Sequence, residues 1–204
     1  FAAVLLGALG LTLWLLGMPV VGSLEYMAQG AWGSKFGLSK VLVAMCPLAL
    51  CGCGIAIAWR SGLFNIGAEG QFIAGGLGAA CIFHVGRGAP VPLLLAGAVI
   101  AGALLGLAVG WLQSARGVPL VISTILVNFI MIQALDGMSA GPLRAADSGL
   151  PMTTPLPDAL RLTRWDPQTD LHSGILVAVI ACLVAAWFLF STPYGLGLRL
   201  LGQS

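Results

Sequence analysis

The stretch Arg60-Ser-Gly-Leu-Phe-Asn-Ile-Gly-Ala-Glu-Gly-Gln71 concentrates hydrogen-bonding chemistry in an otherwise apolar region. Asn65 and Gln71 each supply an amide with both donors and an acceptor, and Glu69 supplies a carboxylate. Gly62, Gly67 and Gly70 weaken helix continuity around them. In a helix begun at Arg60, Glu69 would lie ~13 Å along the axis at ~1.5 Å per residue, close to the middle of a bilayer. A carboxylate at that depth costs at least ~2.5 kcal/mol, so it must face protein or water, be protonated, or be stabilised by a partner. One partner is the backbone: Asn65 is a good N-cap residue, and a helix starting after it would aim its unpaired N–H groups near Glu69. Broken helices of this kind line solute pathways. The plainer reading is a glutamate that ties two helices together, and the residues alone leave both open.

A second polar set follows. Thr124 and Asn128 are four apart and share a helix face, while Ser123 and Gln133 point elsewhere and Asp136 falls at the outer end of its segment. Asn128 suits either a pathway lining or a bridge between helices. Arg60 and Arg116 stand at segment ends, where a long cationic side chain usually anchors at the interface. The sequence contains no G-x-x-x-x-G-K-[ST] phosphate loop and neither an H-E-x-x-H nor a G-x-S-x-G motif, so it offers no ATP site of that type and no catalytic constellation. Cys46, Cys51, Cys53, Cys81 and Cys182 all lie inside apolar segments, and Cys51-Gly-Cys53 lacks C-x-x-C spacing. They read as small buried fillers. His84 and His172 sit near segment ends, and no metal site is expected.

The elements that must position these residues follow from composition. Of 204 residues, 59% are hydrophobic and 8% charged, with a net charge of +2. A soluble domain carries about a quarter charged residues, so a bilayer has to replace a conventional core, and no basic surface points to nucleic acid. Apolar runs of about 20 residues match ~30 Å of hydrocarbon. Six spans are expected, roughly 1–22, 37–59, 63–84, 91–112, 118–136 and 173–191. The fold class is therefore all-α: a polytopic transmembrane bundle in one membrane domain over residues 1–204, with a glycine-broken third span. The apolar run Phe1–Leu16 lacks the basic flank and cleavage site of a signal peptide. The chain starts at Phe1 inside an apolar run and stops at Ser204, and it reads as a fragment truncated at its C-terminal end and at the N-terminus. Pro47 should kink the second span. Ala98, Gly102, Gly106 and Gly110 make a small-residue stripe on the fourth span, and Gly70, Ala74 and Gly78 repeat the device on the third, inviting close helix packing.

Residues 137–172 form the one long connection, rich in proline (Pro142, Pro151, Pro155, Pro157, Pro167). It carries Asp147, Asp158, Asp166 and Asp170 beside Arg144, Arg161 and Arg164. Arg60, Arg116 and Arg199 fall in the alternate set of short connections. The positive-inside rule puts those three on the cytoplasmic side and the long connection outside.

The segment Gly62-Leu-Phe-Asn-Ile-Gly-Ala-Glu-Gly-Gln71 resembles the signature of ABC-type permeases for nucleosides and simple sugars, in the superfamily of ribose and branched-chain amino-acid permeases. Three further stretches are similar in order: Gly117-Val-Pro-Leu-Val-Ile-Ser-Thr-Ile-Leu-Val-Asn128, Ser139-Ala-Gly-Pro-Leu143, which resembles the start of the long external loop, and Thr192-Pro-Tyr-Gly-Leu-Gly-Leu-Arg-Leu-Leu-Gly-Gln203, which resembles the opening of the loop that couples to the ATPase. Departures are Leu120, where the family often has Glu, Leu200, where it often has Ala, and Ser204, where it often has Asn. The resemblance implies a substrate pathway through Asn65, Glu69, Gln71, Thr124 and Asn128, and a coupling role for Tyr194, Arg199 and Gly202. It also implies partners: an ABC ATPase subunit that binds the ATP, a second permease subunit (identical or related), and an extracytoplasmic substrate-binding protein. It places the chain as a multi-pass protein of the bacterial inner membrane that binds no cofactor itself. The rival expectation is an ion-coupled secondary transporter or channel, with Glu69 as the coupling carboxylate; an inert membrane scaffold ranks behind both.

Overall fold

A computed structural model describes residues 1–146 and 148–203. Asp147 of the long loop and Ser204 lie outside the described residues. Apart from the long loop and short connections, the described residues are helical: α1 (Ala2–Leu15), α2 (Val20–Trp32), α3 (Lys35–Arg60), α4 (Ala68–Val85), α5 (Val91–Arg116), α6 (Leu120–Ala140), α7 (Gly174–Ser191) and α8 (Pro193–Leu201). Extended pairing among the described residues is confined to two isolated bridges, Arg144 with Thr153 and Arg164 with His172.

Four of these helices, α3, α5, α6 and α7, are long and apolar enough to cross a membrane, fewer than the six spans expected. Two sequence features account for the difference. The first expected span divides, because Gly17 takes a left-handed φ of 71° and Pro19 follows it, and the 14 residues of α1 extend only ~21 Å. The third expected span is helical only from Ala68. Its first turns carry Glu69 and Gln71 and its last turn His84, which dilute its apolar character.

The chain divides into two compact units, Phe1–Pro47 with Leu162–Val177 and Leu48–Arg161 with Ala178–Ser204. In the first, α1 packs on α2, and a Cβ at Gly37 would run into the carbonyls of Gly30 and Ala31, which marks a tight corner between α2 and α3. Lys40 pairs with Asp170, which Arg164 approaches at 3.7 Å.

The second unit is built on α4. It packs most extensively against α5, then α6. Gly75 abuts Ala98, Gly78 abuts Ala101 and Gly97, and Gln71 abuts Gly102 and Gly106, so α5 runs antiparallel to α4. Gly67 meets Thr124 and Gly70 meets Asn128, so α6 runs parallel to it. The two glycine stripes therefore act, but not as single faces: Gly70 serves α6, Gly78 serves α5, and Gly110 meets nothing. Beside these helices, Cys53 Sγ lies 3.3 Å from Cys182 Sγ, which sets the second half of α3 alongside α7. At the far end of α4, Phe83, Ala89 and Leu94 form a buried cluster covered by Leu160 of the long loop.

Candidate functional site

Between Arg60 and Ala68 the chain leaves the helix. Gly62 adopts φ 80°, a conformation that a side chain would strain, and the linker bonds Asn65 N–H to Leu63 O at 2.9 Å. Helix α4 starts behind Gly67, which has no side chain to cap the free N–H groups. Its first internal bond runs from Gln71 N–H to Gly67 O at 3.0 Å. Asn65 is thus not the cap expected from the sequence. Its Oδ1 instead accepts the Gly67 N–H at 2.8 Å, two residues on, folding the linker on itself just before the helix begins.

The missing cap comes from α6. Asn128 Oδ1 accepts the Gly70 N–H at 2.8 Å, and its Nδ2 donates to Ile66 O at 3.0 Å. Both halves of one amide are used, one on the helix start and one on the linker. A turn earlier, Thr124 is fully buried. Its hydroxyl accepts the Ile66 N–H at 3.3 Å and donates to Leu120 O at 2.7 Å. These bonds explain why Gly67 and Gly70 are glycines. A Cβ at Gly70 would stand 2.9 Å from Asn128 Oδ1 and 3.2 Å from the α6 backbone, and one at Gly67 3.0 Å from Thr124 Cβ.

The start of α4 lies well inside the helices that flank it. Thr124 and Asn128 are ~6 and ~12 Å along α6 from Leu120, and Gly106, against the Gln71 side chain, is ~15 Å from Arg116. The linker enters this depth without helical bonds, so backbone polar groups there rely on side chains. Non-helical backbone at membrane depth is tolerated where protein or water satisfies it.

Four of the five residues singled out in the sequence, Asn65, Gln71, Thr124 and Asn128, gather around the linker and the start of α4, and Glu69 stands on the open face of the same first turn. Thr124 and Asn128 are committed to the linker. Asn65 spends its oxygen on Gly67 and holds Gln71 Oε1 only at 3.5 Å. Glu69, in the first turn of α4, is exposed and makes no hydrogen bond or ion pair among the described residues, and it shares its open face with Phe72 and Gly76. The sequence reading missed the backbone of Ile66 and Gly70 as the partners of α6. The signal was present: Gly67 and Gly70 are three apart, Thr124 and Asn128 four apart, so two small residues and two polar ones each line one helical face.

The other residue group lies on α8. Thr192 caps it, accepting the Gly195 N–H at 3.0 Å while donating to Phe188 O at 2.6 Å. Tyr194 is exposed. Arg199 and Arg60 both lie over the Phe190 ring, 5.4 and 5.7 Å from its centre. A Cβ at Gly202 would strike Arg60 O and come within 3.0 Å of Gly62 N. The end of α8 therefore seats on the start of the linker. Of the departures noted in the sequence, Leu120 is buried at the start of α6 and Leu200 is exposed.

The chain is similar to curated transporter permeases. A glucose ABC transporter permease protein of Haloferax volcanii is 29% identical over 84% of this chain and 48% of its own length. A guanosine ABC transporter permease protein of Bacillus subtilis is 29% identical over 91% of this chain and 55% of its own. A nucleoside ABC transporter permease protein of Lactococcus lactis is 28% identical over 87% and 52%. The chain spans about half the length of these curated relatives. No solved structure matches it. The family described as the permease component of the branched-chain amino acid transport system matches residues 37–204, and the chain, a multi-pass membrane protein, belongs to that family.

Proposed function

We propose that this chain is a membrane-spanning permease subunit of an ATP-driven importer that moves nucleosides or simple sugars across the bacterial inner membrane. The observation that carries the reading is the start of α4, about one to three turns inside its neighbours, with its backbone held by Asn128 and Thr124 and the Glu69 carboxylate left without a partner among the described residues. A carboxylate on an open helix face cannot rest against hydrocarbon without large cost. In the assembled transporter that face meets water or protein, which suits a pathway shared with a second permease subunit. Glu69, Gln71 and the Asn65 amide offer donors and acceptors to hydroxyl-rich solutes, while Thr124 and Asn128 fix the backbone that carries them. A passing site of this kind binds weakly, because tight binding would stop release. ATP is bound and hydrolysed by a separate ATPase subunit, a binding protein delivers solute from outside, and Tyr194, Arg199 and Gly202 open the segment that couples to the motor. The names of the relatives support the solute class.

The test is uptake by the complete transporter in vesicles, across a panel of nucleosides and sugars, with and without ATP. ATP-dependent uptake is expected, with Glu69→Gln assembling normally but changing rate or solute preference. Uptake driven by an ion gradient without ATP would establish the ion-coupled alternative instead. Normal assembly and unchanged transport of every solute in Glu69→Gln would leave that residue a packing group.

A further inference from the structure

Two guanidinium groups share one aromatic ring at the end of α3 and α7, and neither has a counter-ion among the described residues. Arg60 lies 5.7 Å and Arg199 5.4 Å from the centre of Phe190. Neither makes a salt bridge or side-chain hydrogen bond among the described residues, and Arg199 Nε is buried with no acceptor. The described acids of the same unit do not supply the missing charge: Asp158 pairs with Arg161, Glu69 stands in the first turn of α4, and Asp136 near the far end of α6. The fold nonetheless brings both cations to the one ring, because Gly202 packs its backbone against Arg60 O and Gly62 N. Two unpaired cations at one ring, one of them with an unsatisfied buried donor, define a place for an anion.

We infer that Arg60 and Arg199, clamped around Phe190, bind the phosphate of an anionic phospholipid. The position argues for a lipid. Arg60 ends the 26-residue apolar helix α3 and Phe190 the 18-residue apolar helix α7, so the ring sits at the level where hydrocarbon gives way to headgroups. The residues that flank the pair along the chain are apolar and aromatic: Trp59, Phe64, Tyr194 and Leu196 are all exposed. Such residues suit acyl chains and the headgroup boundary. The planar guanidinium fork matches phosphate oxygens in two-point hydrogen bonds. Basic pockets between helix ends are a general form of headgroup site.

The experiment measures lipid retained by the full chain in detergent by native mass spectrometry, titrating phosphatidylglycerol or phosphatidylcholine. The chain is expected to prefer phosphatidylglycerol. Arg60→Gln or Arg199→Gln should each weaken that preference about fivefold, and the double variant roughly thirtyfold. Arg116→Gln, a helix-end arginine outside the pair, should leave it unchanged, and Arg60→Lys with Arg199→Lys should retain part of it. Arg60 is exposed, so Arg60→Gln keeps the test decisive if Arg199→Gln fails to fold. No preference for phosphatidylglycerol, its survival in the double variant, or an equal loss in Arg116→Gln would overturn the site. Displacement of the lipid by millimolar inorganic phosphate would make it a free-anion site and also overturn the proposal.

Discussion

Replacing Asn128 tests whether one side chain holds the interior start of α4. Asn128→Leu keeps the volume and removes both bonds, leaving the Gly70 N–H and Ile66 O without their partner. A buried backbone group left unpaired costs about 1–3 kcal/mol. Side-chain hydrogen bonds within membranes average nearer 0.6 kcal/mol, because the reference state finds other partners. The site is half-exposed in the isolated chain, so a total loss of about 1–3 kcal/mol is expected rather than the full sum of two orphaned groups. Asn128→Asp separates the two bonds. A carboxylate still accepts from Gly70 N–H, with added help from the positive end of α4, but it cannot donate to Ile66 O. It should therefore cost less than Asn128→Leu and loosen the linker more than the helix start. Reversible unfolding in bicelles reads the stability, and hydrogen exchange over residues 65–72 reads the local opening. Wild-type stability together with wild-type exchange in Asn128→Leu would show that the linker is held by something other than Asn128.

Gly70→Ala places a Cβ 2.9 Å from Asn128 Oδ1 and 3.2 Å from the α6 backbone. It should destabilise by about 1–3 kcal/mol, whereas Gly76→Ala, which meets nothing, should be neutral or mildly stabilising by the same unfolding measurement. In the long loop, the hydrogen bond and charge of Lys40, then the charges of Arg164 and His172, hold the Asp170 carboxyl below its ordinary range. A depressed carboxylate contributes its stability above the unfolded pKa and loses it as pH falls through the folded one. Trp165, whose N–H bonds to Leu171 O, should therefore keep its fluorescence unchanged from neutral pH to below about 4 and change only under that, and Asp170→Asn should abolish the step. A midpoint above the ordinary carboxylate value would contradict it. For orientation, cysteines introduced at the exposed positions Ser114 and Thr154 in a cysteine-free background should be labelled from the cytoplasmic and the external side respectively; the reverse pattern would overturn the assignment of the basic connections.

Much of this arrangement was legible in the residues because its signals are local. Apolar length marked α3, α5, α6 and α7, and the polar residues of the third segment marked the place where helix formation fails. What the sequence left ambiguous were the non-local choices. Whether Asn128 lined a path or bridged helices depended on where the linker lay relative to α6, and no spacing within α6 encodes that. The N-cap was misplaced for the same reason. Local propensity favours Asn65, but the donor that a local cap would satisfy is already met by Asn128 from another helix, which frees Asn65 to turn the linker. The span count fell short where a glycine or a polar first turn interrupts an apolar run. Mean apolarity does not register such an interruption, whereas the backbone responds to it residue by residue.

The division of labour at the start of α4 has a mechanical consequence. A helix that begins inside a bundle with a self-sufficient cap could shift along its neighbours without losing a bond. This one cannot, because its third N–H and the linker carbonyl that precedes it both belong to a single amide on α6. Any displacement of α4 against α6 must break both together or carry α6 with it. The contact with α5, by contrast, is close packing of glycines and alanines against backbone and against the Gln71 and Ile82 side chains, with no side-chain hydrogen bond between the two helices among the described residues. Sliding there exchanges one close van der Waals contact for another. If alternating access moves these helices, the physics favours α4 and α6 moving as one body and α5 slipping past them. A disulfide engineered between α4 and α6 should then leave ATP-driven uptake largely intact, and one between α4 and α5 should arrest it. The opposite result in vesicles would show that the Asn128 bonds open in the transport cycle.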